Sequence, residues 1–188
     1  MPEFDAIAES MKKAAGALRD AEIPALLGGG LAAWARGGPF SDHDVDFLVK
    51  PDDVDRALEA LEGAGMSTER PPEGWLVKAY DGDVLVDLIF APATGPVTDE
   101  LIARGEEREV LSTTMRVMAL EDVMVTKLVA LDETHLDFAG ALDIARSLRE
   151  QIDWSEVRER TKDSPYAKAF FTLVEQLGIV DPATLSSE

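Results

Sequence analysis

Three aspartates interrupt segments that otherwise have the composition of buried β-strands. Asp44 and Asp46 open the run Asp-Val-Asp-Phe-Leu-Val at 44–49, and Asp87 lies within Val-Leu-Val-Asp-Leu-Ile-Phe at 84–90. Residues two apart on a strand project from the same face, so the first two carboxylates are expected side by side. Neighbouring carboxylates in an apolar setting are costly to bury, unless a hard cation such as Mg²⁺ binds them.

If the two strands are neighbours, Asp44, Asp46 and Asp87 converge on one site. Three carboxylates are enough to hold two metal ions and to support an in-line displacement at a phosphorus atom. The alternative is that Asp44 and Asp46 cap the end of a strand at the surface, which accounts for many isolated Asp-X-Asp triplets. The third acid and a nearby glycine turn favour the metal site.

The glycine turn consists of Gly28, Gly29 and Gly30, between a short apolar segment at 25–27 and a predicted helix at 31–36. Glycine lets the backbone approach a phosphate closely, and a helix N-terminus offers N–H groups that lack partners. Three glycines alone indicate no more than a turn. Their position matters because one short helix and a returning loop would bring the chain back to Asp44.

Composition restricts the class of protein further. The 188 residues suit one domain with a modest helical extension, and 18 basic against 37 acidic residues give a formal net charge of −19. This charge argues against non-specific nucleic-acid binding and suits a cationic small molecule or a basic partner, or else reflects only an acidic, soluble surface. The absence of cysteine, of a membrane-length apolar run and of a signal-peptide pattern predicts a soluble cytoplasmic protein.

The first half of the chain mixes strand and helix patterns, whereas the second half is helical. Apolar spacing predicts a first helix that ends before Pro24, and the Asp-Gly pair at 81–82 predicts a hairpin. Further predicted elements are a helix opened at 51–53 and closed by Gly63 and Gly65, a strand pair near 108–111 and 115–118, and helices at about 121–132, 137–151, 154–162 and 165–177. We therefore predict an α+β fold, with a mixed β-sheet core flanked by helices at 1–119 and a helical C-terminal part at 120–188.

These motifs together resemble the polymerase-β-like nucleotidyltransferase superfamily. The resemblance covers residues 25–90: the turn Leu-Gly-Gly-Gly-Leu-Ala at 27–32, the segment Ser-Asp-His-Asp-Val-Asp at 41–46, and the later single acid. It is greatest with a small bacterial branch that includes aminoglycoside and lincosamide nucleotidyltransferases and AbiEii/MenT-type toxins. The resemblance implies that Asp44 and Asp46 bind two Mg²⁺ ions and a nucleoside triphosphate, and that Asp87 completes the metal site and activates the acceptor hydroxyl.

The resemblance also suggests nucleotide-binding residues, with Gly28, Gly29 and Gly30 at the phosphates. The turn lacks the serine found in many members of the superfamily, so Ser41 is a candidate to supply a hydroxyl. His43 either contacts phosphate or substrate, or is an ordinary loop histidine. Lys127 interrupts an apolar helix face; its ammonium either reaches solvent or meets the phosphates or carboxylates, and AbiEii-like relatives carry a lysine at a similar point.

The expected function is Mg²⁺-dependent transfer of a nucleotide monophosphate from a nucleoside triphosphate to a hydroxyl of a small-molecule acceptor. One alternative is a toxin that acts on tRNA, which would need a local basic patch, for which the candidates are Lys12, Lys13, Arg19 and Arg36. The other is a non-catalytic member of the fold that binds a nucleotide or a partner protein. No acceptor and no oligomeric state follows from the sequence.

Overall fold

A computed structural model describes residues 3–40, 44–181 and 184. In this part of the chain a seven-stranded sheet has the order β3-β4-β5-β2-β1-β7-β6. The strands are β1 (Ala25–Leu27), β2 (Val45–Val49), β3 (Ser67–Glu69), β4 (Leu76–Asp81), β5 (Val84–Ile89), β6 (Glu106–Val110) and β7 (Thr113–Val117). The helices are α1 (Phe4–Asp20), α2 (Gly29–Trp34), α3 (Val54–Gly63), α4 (Asp99–Arg104), α5 (Leu120–Val129), α6 (Ala139–Leu148), α7 (Trp154–Arg160) and α8 (Pro165–Gln176), with 3₁₀ turns at 51–53 and 149–151. The predicted α+β class is confirmed.

The centre of the sheet combines parallel and antiparallel pairs. Strand β2 pairs antiparallel with β1 on one side and parallel with β5 on the other. The predicted Asp-Gly turn does form a tight hairpin, in which Asp81 pairs with Val84 and Lys78 pairs with Asp87. The hairpin fixes the register of β4 on β5, and the parallel pair fixes the register of β5 on β2.

The two faces of the sheet differ in what covers them. Strand β5 alternates strictly, with Val84, Val86 and Leu88 buried and the residues between them half-buried. The buried side chains point toward α1, whose Ser10 hydroxyl and Lys13 ammonium bind Asp81 at 2.9 and 2.7 Å. On the opposite face, α2 packs against β2 and in turn contacts α5. Beyond them that face is more open, and it carries the polar residues of β4 and β5.

The structure differs from the sequence predictions in three details. Helix α2 begins at Gly29, not at residue 31, so two glycines of the turn are inside its first turn. Strand β3 and helix α4 were not predicted. Strand β3 is three residues of polar sequence at the sheet edge, and α4 buries only Ile102, so neither shows the apolar periodicity on which the predictions depended.

The helical second half is joined to the core by a buried ion-pair network. The Asp122 side chain on α5 is 1% exposed and accepts a hydrogen bond of 2.8 Å from Arg104 on α4. Arg160 on α7 also lies 2.6 Å from this carboxylate, though without hydrogen-bond alignment. Glu156 contacts both arginines, so three helices meet here. The division of the chain into two parts at 119/120 stays a prediction. None of the described helices is long and apolar enough to cross a membrane.

Candidate active site

Asp46 and Asp87 lie directly opposite each other on neighbouring parallel strands. Residues in register across a sheet project from the same face, and neighbouring strands are about 4.8 Å apart. The two carboxylates therefore share the more open face. Asp44 immediately precedes β2 and, two residues before Asp46, belongs to the same face. The two strands are thus neighbours, as the sequence analysis assumed, and Asp46 and Asp87 are in register.

The glycine turn lies against the second aspartate of the triplet. The Gly28 amide donates to the Asp46 carbonyl at 2.8 Å, so this amide is used in holding the turn to β2. Gly29 has a φ of +54°, and a Cβ atom there would lie 1.8 Å from Oδ2 of Asp46. Only glycine allows this contact. Gly29 and Gly30 occupy the first turn of α2, where backbone amides have no intrahelical acceptor.

The electrostatics of the aspartate pair are those of a site that favours positive charge. Burial, together with the charges of Asp87 and Asp44, raises the pKa of Asp46 to about 7, against the lowering effect of the Lys127 ammonium. Burial also raises the pKa of Asp87 to about 6, with Lys78 lowering this pKa and Asp44 raising it. Two carboxyl groups whose pKa values are raised toward neutrality must lie close together and away from bulk water.

Lys127 and Lys78 lie on opposite sides of the pair. Lys127 is half-buried on α5 and its charge acts on Asp46. Lys78 is half-buried on β4, directly across from Asp87. Lys127 was singled out from the sequence, whereas Lys78 was not. The Asp-Gly pair predicts the hairpin but not this register: with Asp81 and Gly82 as the two loop residues, Lys78 would pair with Leu85. In the structure the loop residues are Gly82 and Asp83, which places Lys78 across from Asp87.

A cleft of about 600 Å³ opens beside the glycine turn. Gly30 and Phe40 line one side, and Lys127 and the α6 residues Gly140 and Asp143 line the other. This volume falls within the range of about 300–1,000 Å³ typical of small-molecule sites. The glycine turn thus lines the cleft through Gly30, and the helical second half forms one of its walls.

Two residues suggested for nucleotide binding, Ser41 and His43, fall outside the described residues. Arg36, a candidate for the basic patch, has a side chain that is 7% exposed, pairs with Glu106 and donates to the Met118 carbonyl. Asp137 lines the cleft and accepts a hydrogen bond from the Ala139 amide at the start of α6.

The four cations of the suggested basic patch are each paired with a carboxylate. Their partners are Glu9 for Lys12, Asp81 for Lys13, Asp20 for Arg19 and Glu106 for Arg36. These acids neutralise the positive charge locally. The patch therefore offers a phosphate backbone little uncompensated charge.

The donor set suits a divalent cation in two respects. Oδ1 of Asp87 is buried and has no hydrogen-bond donor, and the mutual repulsion of Asp46 and Asp87 is what a cation would relieve. Within 3–40, 44–181 and 184, however, no three acidic or histidine side chains are close enough to form a ready-made cation cage. Among the described residues, carboxylate oxygens thus lie on one face of the sheet. The structure does not describe residues 41–43, which immediately precede Asp44.

The sequence of residues 6–176 matches the model of a family described as uncharacterised nucleotidyltransferase. The chain belongs to this family. The match includes the glycine turn, the three aspartates and the helices that line the cleft, so this nucleotidyltransferase shares the family pattern along most of its length. No curated protein matches the sequence significantly.

Solved structures show the same fold at low sequence identity. The crystal structure of ANT(2″)-Ia in complex with adenylyl-2″-tobramycin is 15% identical, with a TM-score of 0.63, covering 87% of this chain and 98% of that one. The solution structure of the same antibiotic-resistance factor gives a TM-score of 0.61 at 15% identity, covering 91% and 96% of the two chains. These likenesses establish a nucleotidyltransferase fold, and the family match supports an enzyme with an unknown acceptor.

Proposed function

We propose that this nucleotidyltransferase moves a nucleotide monophosphate from a nucleoside triphosphate to a hydroxyl of a small molecule, with Mg²⁺ as cofactor. The observation that carries the proposal is the register of Asp46 with Asp87, next to a glycine turn whose backbone contacts Asp46. The family match gives the reaction class, and the geometry supports these residues as the site that performs it.

The glycine turn and Lys127 form the nucleotide side of the site. The backbone of Gly29 and Gly30 can approach phosphate oxygens closely, because neither residue has a side chain in the way. Lys127 supplies a positive charge on the wall of the same cleft. The cleft has room for a nucleotide, with the triphosphate toward the aspartates. Ser41 and His43 stay predicted contributors.

Asp44, Asp46 and Asp87 would hold the metal ions. Bound Mg²⁺ supplies charge neutralisation for the triphosphate and for the oxygens that attack and leave. Asp87 accepts the proton of the acceptor hydroxyl at a carboxylate oxygen as the new bond from oxygen to the α-phosphorus forms. The bond from that phosphorus to the pyrophosphate oxygen breaks, so the leaving group is pyrophosphate.

A small-molecule acceptor fits the surface better than tRNA does. The cations suggested for an RNA-binding patch are paired with acids, and the net charge of −19 repels a polyanion at long range. ANT(2″)-Ia, which shares the fold, was crystallised with an adenylylated aminoglycoside. A cytoplasmic location stays a prediction.

The test is transfer of label from α-³²P-labelled nucleoside triphosphates with Mg²⁺ to small hydroxyl compounds, with tRNA in a parallel reaction. We expect a labelled small molecule and released pyrophosphate, with at least a hundredfold loss of rate in Asp46→Ala and Asp87→Ala. Asp83→Ala, an exposed aspartate at the hairpin turn, is the matched control and should retain full rate. Nucleotide binding without pyrophosphate release would instead identify a non-catalytic member of the family.

A further inference from the structure

The proposed reaction defines two sides of the aspartate pair. In an in-line displacement the attacking and leaving oxygens lie on opposite sides of the phosphorus atom. The glycine turn follows β1, which flanks β2 on one side, whereas β4 lies beyond β5 on the other. If the pyrophosphate leaves toward the glycine turn, the acceptor hydroxyl arrives over β5 and β4.

Lys78 is the cation on this acceptor side. It lies directly across from Asp87 in the hairpin, so both side chains project from the more open face. Lys78 is half-buried, and Tyr80, two residues along, shares that face. The Tyr80 hydroxyl donates to Glu69 on β3 at 2.9 Å. Lys78 therefore lies between the Asp87 carboxylate and the edge of the sheet, where Tyr80 is hydrogen-bonded to β3.

Lys78 is also one of few cations in the described structure that form no direct ion pair with a carboxylate. The chain has twice as many acidic as basic residues, and in the described structure all arginines and most lysines form ion pairs with carboxylates. Among the described residues the exceptions are Lys78, Lys127 and Lys168. Two of these three flank the aspartate pair, one on the nucleotide side and one on the acceptor side.

We propose that Lys78 binds an anionic group of the acceptor, a phosphate or carboxylate carried close to the hydroxyl that receives the nucleotide. This inference rests on the proposed function and narrows its substrate class to anionic small molecules. An ammonium on the acceptor side attracts such a group and repels the amines of a cationic acceptor. It thus opposes the preference for cations that the overall charge suggests, because local charge decides binding at contact distance.

The first experiment uses labelled nucleotide with three acceptor sets: sugar phosphates, sugar acids and aminoglycosides. We expect label on an anionic set, and an acceptor KM raised about 10- to 100-fold in Lys78→Gln, the loss expected for one charge-assisted hydrogen bond. The KM for the nucleotide should change less than threefold. Lys78→Arg keeps the charge and should recover most of the acceptor affinity, and Lys168→Gln, at an exposed position of α8, is the matched control.

A second experiment needs no known acceptor. With the nucleotide site filled by Mg²⁺ and a non-hydrolysable triphosphate, inorganic phosphate is titrated while the lysine side-chain amines are followed by NMR. We expect a second phosphate site that shifts the Lys78 signal, weakens at least tenfold in Lys78→Gln, and persists in Lys168→Gln. Thermal unfolding midpoints within a few degrees of the parent protein show that the variants fold.

The outcomes separate the inference from the proposed function. Transfer only to aminoglycosides or to tRNA, or phosphate binding unchanged in Lys78→Gln, would overturn the inference and leave nucleotidyl transfer in place. An equal loss of nucleotide affinity in Lys78→Gln would also overturn it, by placing Lys78 on the nucleotide side. Absence of Mg²⁺-dependent triphosphate binding would instead refute the proposed function itself.

Discussion

Neutralising Asp46 should make the metal-free protein more stable while abolishing activity. The pKa of Asp46 rises from 3.8 to about 7 in the folded state, chiefly through burial and through the charge of Asp87. Each pH unit of such a shift corresponds to about 1.4 kcal/mol, so ionised Asp46 disfavours folding by up to about 4 kcal/mol. Partial contact with solvent screens part of this unfavourable free energy. We therefore expect Asp46→Asn to raise the free energy of unfolding by about 2–4 kcal/mol.

The sign of the pH dependence follows from linkage. Between pH 4 and pH 7 the folded protein retains a proton on Asp46 that the unfolded chain has lost, so this group makes stability fall as pH rises. The gain in the free energy of unfolding from Asp46→Asn should therefore be near zero at pH 4 and reach its full value above pH 7. It should also shrink when Mg²⁺ is added to the parent protein, because a bound cation relieves the same repulsion.

The assay is urea unfolding in EDTA at several pH values between 5.5 and 8, repeated with Mg²⁺. Asp83→Asn removes one exposed carboxylate at the hairpin turn and is the control for a change in net charge. We expect its free energy of unfolding to stay within about 0.5 kcal/mol of the parent. A gain for Asp46→Asn that is absent at pH 8, or that is the same at every pH, would refute the account of a carboxylate strained by burial and repulsion.

Three further substitutions test other parts of the structure. Gly29→Ala should lose nucleotide binding, because the new Cβ would lie 1.8 Å from Asp46 Oδ2. Gly82 is the control, since it has a similar φ of +63° but open space around it, and Gly82→Ala should only slightly lower the thermal unfolding midpoint. Lys127→Gln should weaken triphosphate binding about tenfold by calorimetry, with Lys168→Gln unchanged. Asp122→Asn should cost about 1–3 kcal/mol in urea unfolding, because a buried carboxylate shared by Arg104 and Arg160 is lost while both arginines stay partly exposed and paired with Glu156; a loss no larger than that of exposed Asp143→Asn would contradict the role of this network.

Local pattern predicted the pieces of the site but not how they meet. The alternation around Asp46 and Asp87 identified both strands, and the Asp-Gly pair indicated the hairpin, but the loop is shifted by one residue to Gly82 and Asp83, and this shift places Lys78 opposite Asp87. The register of Asp46 with Asp87 could not be predicted from local pattern either. These strands are parallel and separated by α3, β3 and β4, so no turn links them and only tertiary packing sets their register.

Charge was the least informative sequence feature at the level of the site. Net charge predicted an affinity for cationic molecules and gave no indication of which basic residues are paired. Arg36 was a candidate for a basic surface patch, yet its side chain is buried against the carbonyls of Val117 and Met118 and pairs with Glu106. Ion pairing is long-range in sequence, as for Lys13 with Asp81, and is therefore not accessible to a local pattern.

The most direct test of the central claim is a crystal structure with Mn²⁺ and a non-hydrolysable nucleoside triphosphate, in which anomalous scattering locates the metal. The account predicts a Mn²⁺ ion bound by carboxylate oxygens of Asp46 and Asp87, with the triphosphate against the backbone of Gly29 and Gly30. Metal or phosphates bound elsewhere, with the two aspartates left uncoordinated, would contradict it.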